Sequence, residues 1–89
     1  MLSEAPTTSP LRLLAFAGVR DVIGSAEATV DVELPCTAGE LWPRLVARYP
    51  DLAPYAGSIR LAVNGTYATP SDRVGHGDEV ALIPPVSGG

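Results

Sequence analysis

The residues with the most informative chemistry stand at the end of the sequence, which finishes with PPVSGG (residues 84–89). In polyproline-like extension, six residues reach roughly 18 Å at about 3.1 Å per residue, which is long enough to enter the active site of another protein. Gly88 and Gly89 add no side-chain bulk, so a narrow channel can close around their backbone. The α-carboxylate of Gly89 has a reference pKa of about 3.3–3.7 and is unreactive at neutral pH. It must therefore be activated, for instance as an acyl-adenylate, before it can act as an acyl donor.

The other reactive side chains do not form a recognisable site. Cys36 is the single cysteine and has no basic neighbour in the sequence that would lower its pKa, so we interpret it as a small core residue. One histidine, His76, and one cysteine cannot supply the three or four ligands of a metal site. The motif around Gly75 lacks the third glycine and the following helix of a phosphate-binding loop. We therefore expect this chain to bind no metal and no cofactor.

Composition excludes several classes of protein. The chain has 89 residues, enough for one domain, and a formal net charge of −4, which disfavours nucleic acid and anionic membranes as partners. It has no apolar stretch long enough to span a membrane and no recognisable signal peptide, so we expect a cytoplasmic protein. All 6 basic residues are arginine. The absence of lysine suits a protein with an activated tail, because no side-chain amine on a neighbouring copy can be acylated, although an Arg-rich genome composition is the simpler explanation.

The first half of the sequence predicts two strands. Residues 1–10 are polar and aperiodic, which indicates a flexible leader. Residues 11–17 form a short apolar run whose weak alternation predicts a strand covered on both faces. A helical turn at residues 20–23 ends at Gly24. Residues 28–34 alternate cleanly between apolar and polar side chains, which predicts a half-buried strand antiparallel to the first.

The middle of the sequence predicts the main helix. Thr37 and Glu40 have the spacing of a capping box. Leu41, Leu45 and Tyr49 follow at intervals of four residues and form one apolar stripe. Pro43 predicts a kink or a 3₁₀-like first turn, because it lacks a backbone N–H.

The last third predicts three more strands and completes the fold. Residues 59–63 alternate and run into Asn64-Gly65, a strong hairpin signal, and residues 66–67 return. A turn at residues 75–78 precedes the strand at residues 79–83. The order of elements predicts an α+β protein with the β-grasp (ubiquitin-like) fold at residues 11–83. In this fold one main helix covers a mixed sheet of about five strands, and the first and last strands are parallel.

Three segments resemble the small subunit of molybdopterin synthase, the MoaD family: GDEVALIPPVSGG (residues 77–89), LLAFAGVRDVIG (residues 13–24) and VNG (residues 63–65). The resemblance implies a sulfur carrier for molybdenum cofactor biosynthesis that is not an enzyme on its own. An ATP-dependent enzyme would adenylate Gly89, and a sulfur donor would convert the adenylate to a thiocarboxylate. The large subunit of the synthase would then receive the tail in a heterotetramer, where the sulfur attacks a pterin precursor. ATP would be used by the activating partner and not by this chain.

Position in or next to the tail and, for Arg20, the resemblance predict which residues dock on these partners. Besides the reactive Gly89, the expected tail and docking residues are Gly88, Ser87, Val86, Pro85, Pro84, Leu82 and Arg20, the last within the FAGVR segment. Strand residues next to a protruding tail tend to lie at a docking edge, so we also expect an apolar patch formed by Leu82, Ile83, Pro84 and Val86. Phe16, Trp42 and Tyr49 are expected in the core.

Three alternative functions remain open. The first is a sulfur carrier for thiamine thiazole or cysteine synthesis. The second is a ubiquitin-like modifier joined through Gly89 to lysines of other proteins, and the third is a plain interaction module.

Overall fold

A computed structural model describes residues 8–84; the leader residues 1–7 and the tail residues 85–89 lie outside this range. Within the described range the chain forms seven strands, two α-helices and one 3₁₀ helix. In chain order they are β1 (Thr8–Ala15), α1 (Ala17–Ile23), β2 (Glu27–Glu33), β3 (Cys36–Thr37), α2 (Ala38–Arg48), the 3₁₀ helix (Pro50–Tyr55), β4 (Arg60–Val63), β5 (Thr66–Tyr67), β6 (Arg73–Val74) and β7 (Glu79–Ile83).

Five of the strands form one mixed sheet in the order β2-β1-β7-β4-β5. The central pair, β1 and β7, is parallel, and the other neighbours are antiparallel. The predicted mixed sheet and the parallel pairing of the first and last of its strands are confirmed. β3 and β6 pair separately as a small two-stranded ladder, which the sequence did not predict.

β1 begins earlier than predicted. Its pairing with β2 starts at Thr8, so the last three residues of the predicted leader, residues 8–10, belong to the sheet. Pro10 is tolerated inside this strand because pairing with β7 starts only at Arg12, which leaves one edge of β1 open at Pro10.

The prediction that both faces of β1 are covered is wrong, because only one face is buried within the chain. Leu11, Leu13 and Ala15 point into the core and are buried, whereas Leu14 is only half-buried and Phe16 is 49% exposed. Side chains alternate between the two faces of a strand, and only one face of this sheet is covered by the helix.

The helix α2 forms as its capping box predicts. The Thr37 Oγ1 accepts a hydrogen bond from the Glu40 N–H at 3.1 Å, and the Glu40 carboxylate accepts one from the Thr37 N–H at 2.9 Å. Such a cap contributes about 1 kcal/mol to stability. Leu41 and Leu45 are fully buried against the sheet. The helix is α-helical from Ala38 and continues through Pro43, so the expected 3₁₀-like first turn does not form.

Two turns hold β7 in the centre of the sheet. Asn64 and Gly65 have φ angles of 52° and 86°, the positive values that a type I′ hairpin requires at both central residues. The Asn64 side chain also bonds the start of β7: its Oδ1 accepts from the Glu79 N–H at 3.0 Å, and its Nδ2 donates to Asp78 at 2.9 Å. Asp78 in turn accepts from the Gly75 N–H at 2.8 Å, which closes the predicted turn before β7.

Candidate functional site

The side chains of β7 point alternately into the core and toward the opposite face of the sheet. Val80 and Leu82 are fully buried beneath α2, whereas Glu79, Ala81 and Ile83 point to the opposite face of the sheet. The prediction that Leu82 docks on a partner is therefore wrong, because its side chain has 0% exposure and cannot contact another protein. The neighbouring Ile83 is half-buried and points outward.

The strand register brings apolar side chains together on this outward side. Leu14 of β1 pairs with Ala81 of β7, Ala81 pairs with Ala62 of β4, and Ala62 pairs with Tyr67 of β5. Together with Phe16 and Ile83 these residues define what we call the open face. It contains a groove of about 310 Å³ lined by Leu14, Phe16, Ala62, Gly65, Tyr67, Glu79, Ala81 and Ile83. Of the residues expected to form an apolar patch beside the tail, Ile83 lies on this face, Leu82 lies in the core, and Val86 lies outside the described residues.

The open face carries both large hydrophobic side chains that are exposed within residues 8–84. Phe16 is 49% exposed and Tyr67 is 53% exposed. The prediction that Phe16 lies in the core is wrong: the residue continues the extended backbone of β1, with φ −125° and ψ 152°, and so keeps the outward direction of Arg12 and Leu14. Trp42 and Tyr49, in contrast, pack against the core as predicted. Exposed aromatic residues grouped on one face indicate a surface that a partner covers.

Charged side chains border the open face. At one end, Arg12 forms ion pairs with Glu27 at 3.3 Å and Glu79 at 3.6 Å. At the other end, the Arg60 guanidinium carbon lies 4.2 Å from the centre of the Tyr67 ring. The sequence did not single out Arg60, and only its register opposite Ile83 on β7 places it at this edge.

Arg20 lies beside the open face. It is exposed in the last turn of α1 and lines a groove of about 330 Å³ together with Leu14, Phe16 and Glu27. This helix ends at Gly24, whose φ of 100° is favourable for glycine. Arg20 is therefore placed where a partner on the open face can reach it, and its docking role stays a prediction.

The tail begins at the same end of the sheet. Leu82 pairs with Ala15 and Ile83 pairs with Arg60, so β7 ends next to Phe16 on one side and Arg60 on the other. Pro84, the last described residue, is half-buried. The remaining predicted tail residues, Pro85, Val86, Ser87, Gly88 and Gly89, lie outside the described residues.

The remaining reactive side chains do not form a second site. Cys36 is buried, and desolvation raises the pKa of its thiol despite the nearby Arg44. His76 makes a hydrogen bond of 2.7 Å to the Ser9 hydroxyl at the far end of β1. Within residues 8–84, no group of three or more potential metal ligands is found, and no helix is sufficiently long and apolar to span a membrane.

The fold and the open face define the class of protein. A mixed five-stranded sheet with a parallel central pair, one long helix on one face and an exposed apolar surface on the other is the β-grasp architecture of ubiquitin-like proteins. Within that class the chain belongs to the ThiS family, whose model matches residues 13–89.

Individual relatives agree with this assignment. The chain is 33% identical over 87 residues to the molybdopterin synthase sulfur carrier subunit of Arabidopsis thaliana, which covers 98% of this chain and 91% of the relative. Small archaeal modifier protein 1 of Haloferax volcanii has a similar structure, with a TM-score of 0.75, 31% identity and coverage of 88% of this chain and 99% of that one. A chain in the complex of subunits 1 and 2 of molybdopterin-converting factor from Helicobacter pylori shares the fold, with a TM-score of 0.62, 20% identity and coverage of 90% and 99%. The predicted β-grasp fold and the resemblance to the small subunit of molybdopterin synthase are confirmed.

Proposed function

We propose that this protein is the sulfur carrier subunit of molybdopterin synthase and that Gly89 carries the sulfur. The observation that carries the proposal is the position of the open face. On this face the exposed Phe16 lies next to the end of β7, which leads into the PPVSGG sequence, and the exposed Tyr67 lies across β4 from Ala81 in the middle of β7. A partner that covers this face therefore stands next to the origin of the tail. The Arabidopsis thaliana relative carries the name of this function.

The chemistry of the tail requires two partner proteins besides the synthase. An ATP-dependent enzyme transfers AMP to the Gly89 carboxylate and releases pyrophosphate, which converts an unreactive carboxylate into an electrophilic acyl-adenylate. A sulfur donor carrying a persulfide then attacks the carbonyl carbon through its outer sulfur, and AMP leaves. A thiol cleaves the S–S bond of the resulting acyl disulfide and forms a disulfide with the donor sulfur, which releases the thiocarboxylate. The thiocarboxylate is ionised at neutral pH and nucleophilic through its sulfur atom. Because ATP is used by the activating enzyme, this chain needs no nucleotide site of its own.

The final transfer takes place on the large subunit. The tail enters its active site, where the thiocarboxylate sulfur attacks the pterin precursor and forms a thioester. Water hydrolyses this thioester, which leaves the sulfur on the pterin and restores the Gly89 carboxylate. Gly88 keeps the tip of the tail narrow. This chain supplies sulfur and a docking surface, and the large subunit supplies the catalytic groups. The Helicobacter pylori neighbour is a complex of two such subunits, and we propose a heterotetramer in the cytoplasm for the present protein.

The proposal is tested by the intact mass of the protein after incubation with the activating enzyme, ATP and a sulfur source. The expected increase corresponds to replacement of one oxygen atom by one sulfur atom, and deletion of Gly89 abolishes it. Adding the large subunit and the pterin precursor returns the mass to its original value. A thiazole synthase in place of the large subunit tests the thiamine alternative. If no sulfur is incorporated by an activating enzyme of proven activity, the proposal is wrong.

The similarity to small archaeal modifier protein 1 favours a second candidate function, the modification of other proteins. In that case the activated Gly89 carbonyl would form an amide bond with a lysine amine of a target protein. The sequence contains no lysine, so conjugates would carry single copies and no chains joined through lysine. Mass spectrometry of tagged protein from cells distinguishes the two functions: isopeptide-linked fragments ending in Gly89 support modification, and their absence with a thiocarboxylate present supports the carrier alone.

A further inference from the structure

The guanidinium group of Arg60 is held over the open face. Arg60 opens β4, lies opposite Ile83 and stacks on Tyr67, with 4.2 Å between its Cζ and the ring centroid. A cation at this distance is attracted by the negative face of the aromatic ring. The positive charge therefore stays next to the end of β7, where an unrestrained arginine side chain would sample many positions.

Stacking leaves the edge of the guanidinium available. A guanidinium carries five N–H donors in its plane, and none of the side-chain hydrogen bonds among residues 8–84 uses those of Arg60. The ion pairs formed among residues 8–84 involve Arg12 and Arg44, and none involves Arg60. A free planar edge of this kind matches a carboxylate, which can accept two parallel N–H hydrogen bonds.

The two ends of the open face carry charges of opposite sign, and they also differ in whether those charges already form ion pairs. At the start of β7, the Glu27 and Glu79 carboxylates share one cation, Arg12. At the end of β7, Arg60 presents a positive charge with no ion-pair partner among residues 8–84, on a chain whose net charge is −4. A partner protein that covers the face in the correct orientation meets a cation beside the tail, and opposite charges across an interface fix orientation and register.

We propose that Arg60 determines the specificity of docking: it binds an Asp or Glu carboxylate on the protein that covers the open face and receives the tail. Tyr67 is the positioning residue that holds the guanidinium. The inference rests on the proposed function, because the partner used to test it is the large subunit of molybdopterin synthase.

The experiment measures the Kd of the full-length chain for the purified large subunit by calorimetry at two salt concentrations. Arg60→Leu is expected to weaken binding about tenfold, or about 1.4 kcal/mol, and to reduce the effect of salt on Kd. Arg60→Lys, which keeps the charge but loses the planar fork, is expected to give a smaller loss. The matched control is Arg73→Leu, which removes an exposed arginine from β6, outside the five-stranded sheet, and is expected to leave Kd unchanged.

A double-mutant cycle tests the role of Tyr67. Tyr67→Leu keeps apolar bulk and removes the aromatic ring, so the Arg60 guanidinium loses its support. Part of the affinity is expected to be lost, and the losses from Tyr67→Leu and Arg60→Leu are expected to be less than additive, because both act on the same contact. Strictly additive losses would contradict the positioning role.

Other results separate this inference from the proposed function. If the wild-type chain binds the large subunit and Arg60→Leu binds equally well at both salt concentrations, the inference is wrong and the proposed function stands. Equal weakening by Arg60→Leu and Arg73→Leu would show an effect of net charge only and would also overturn it. If the wild-type chain does not bind the large subunit, both proposals fail. Because Arg60, Tyr67 and Arg73 are all exposed, these variants are expected to fold.

Discussion

Replacing Phe16 by alanine should weaken docking on the large subunit far more than it affects the fold. A fully buried aromatic side chain covers about 150–250 Å². Phe16 is 49% exposed in the free chain. A partner that covers the open face therefore removes about 75–120 Å² of this side chain from water, which is worth about 2–3 kcal/mol at about 25 cal/mol per Å². This free energy corresponds to about a 20- to 150-fold change in Kd. Because alanine still buries its Cβ atom in the interface, the loss of buried area is smaller than for the whole side chain. The expected change in Kd therefore lies at the lower end of this range.

The assay compares Phe16→Ala with a buried control, Leu82→Val, in calorimetric titrations against the large subunit. Leu82 has 0% exposure, so removing one methylene group should lower the free energy of unfolding by about 1 kcal/mol and leave the Kd of the folded protein unchanged. Urea unfolding measured on both variants ensures that binding is compared between folded proteins. Wild-type affinity for Phe16→Ala would refute the assignment of the open face as the docking surface. So would equal weakening by the two variants.

Three further perturbations test the tail, the pH response and the β4–β5 turn. Gly88→Val adds a branched side chain near the tip of the tail, so sulfur transfer to the pterin precursor should fall at least tenfold with an unchanged melting temperature; a large drop in melting temperature would instead show that the tail belongs to the fold. Hydrogen bonds from the backbone N–H groups of Thr37 and Gly75 lower the pKa values of Glu40 and Asp78 from 4.5 and 3.8. Stability from these carboxylates is therefore present at neutral pH and is lost as the pH falls below those values, and urea unfolding as a function of pH should show a shallower acid decline for Glu40→Gln combined with Asp78→Asn. Gly65 has a φ of 86°, and no atom of a described residue beyond its two chain neighbours lies within 4 Å of the place where an alanine Cβ would stand. Gly65→Ala should therefore cost about 1–2 kcal/mol from backbone strain alone, and an unchanged urea midpoint would contradict the positive φ.

The elements that could be predicted from the sequence depend on local patterns. The alternation in β2, the capping box of Thr37 and Glu40 and the Asn64-Gly65 turn are each specified by residues close together in the chain, and each is present. The β3–β6 ladder was missed because two-residue strands have no periodicity and their pairing joins residues far apart in the sequence.

The candidate site was predicted less accurately, for a reason that can be stated physically. Leu82 was assigned to the docking surface and Phe16 to the core, and both assignments are reversed in the structure. Residues an even number of positions apart in a strand lie on the same face, and a charged residue in each strand marks the face that is in contact with solvent. Glu79 shares this face with Ile83 in β7, and Arg12 shares it with Phe16 at the end of β1. Applying this alternation would have corrected both assignments. Arg60 carried no such signal, because its contact with Tyr67 depends on the β4–β5 hairpin.

The position of β7 in the centre of the sheet has a consequence for biosynthesis. β7 is the last strand of the sheet in chain order, yet it separates β1 from β4. A nascent chain that ends before Ile83 can form the hairpin of β1 and β2 but cannot join it to β4 and β5. Folding is therefore a late event with high contact order, which slows it compared with helical proteins of similar size. An incomplete translation product lacks the central strand together with the tail. Under the proposed function, an activating enzyme would therefore meet the tail only on chains that already contain every strand needed to fold.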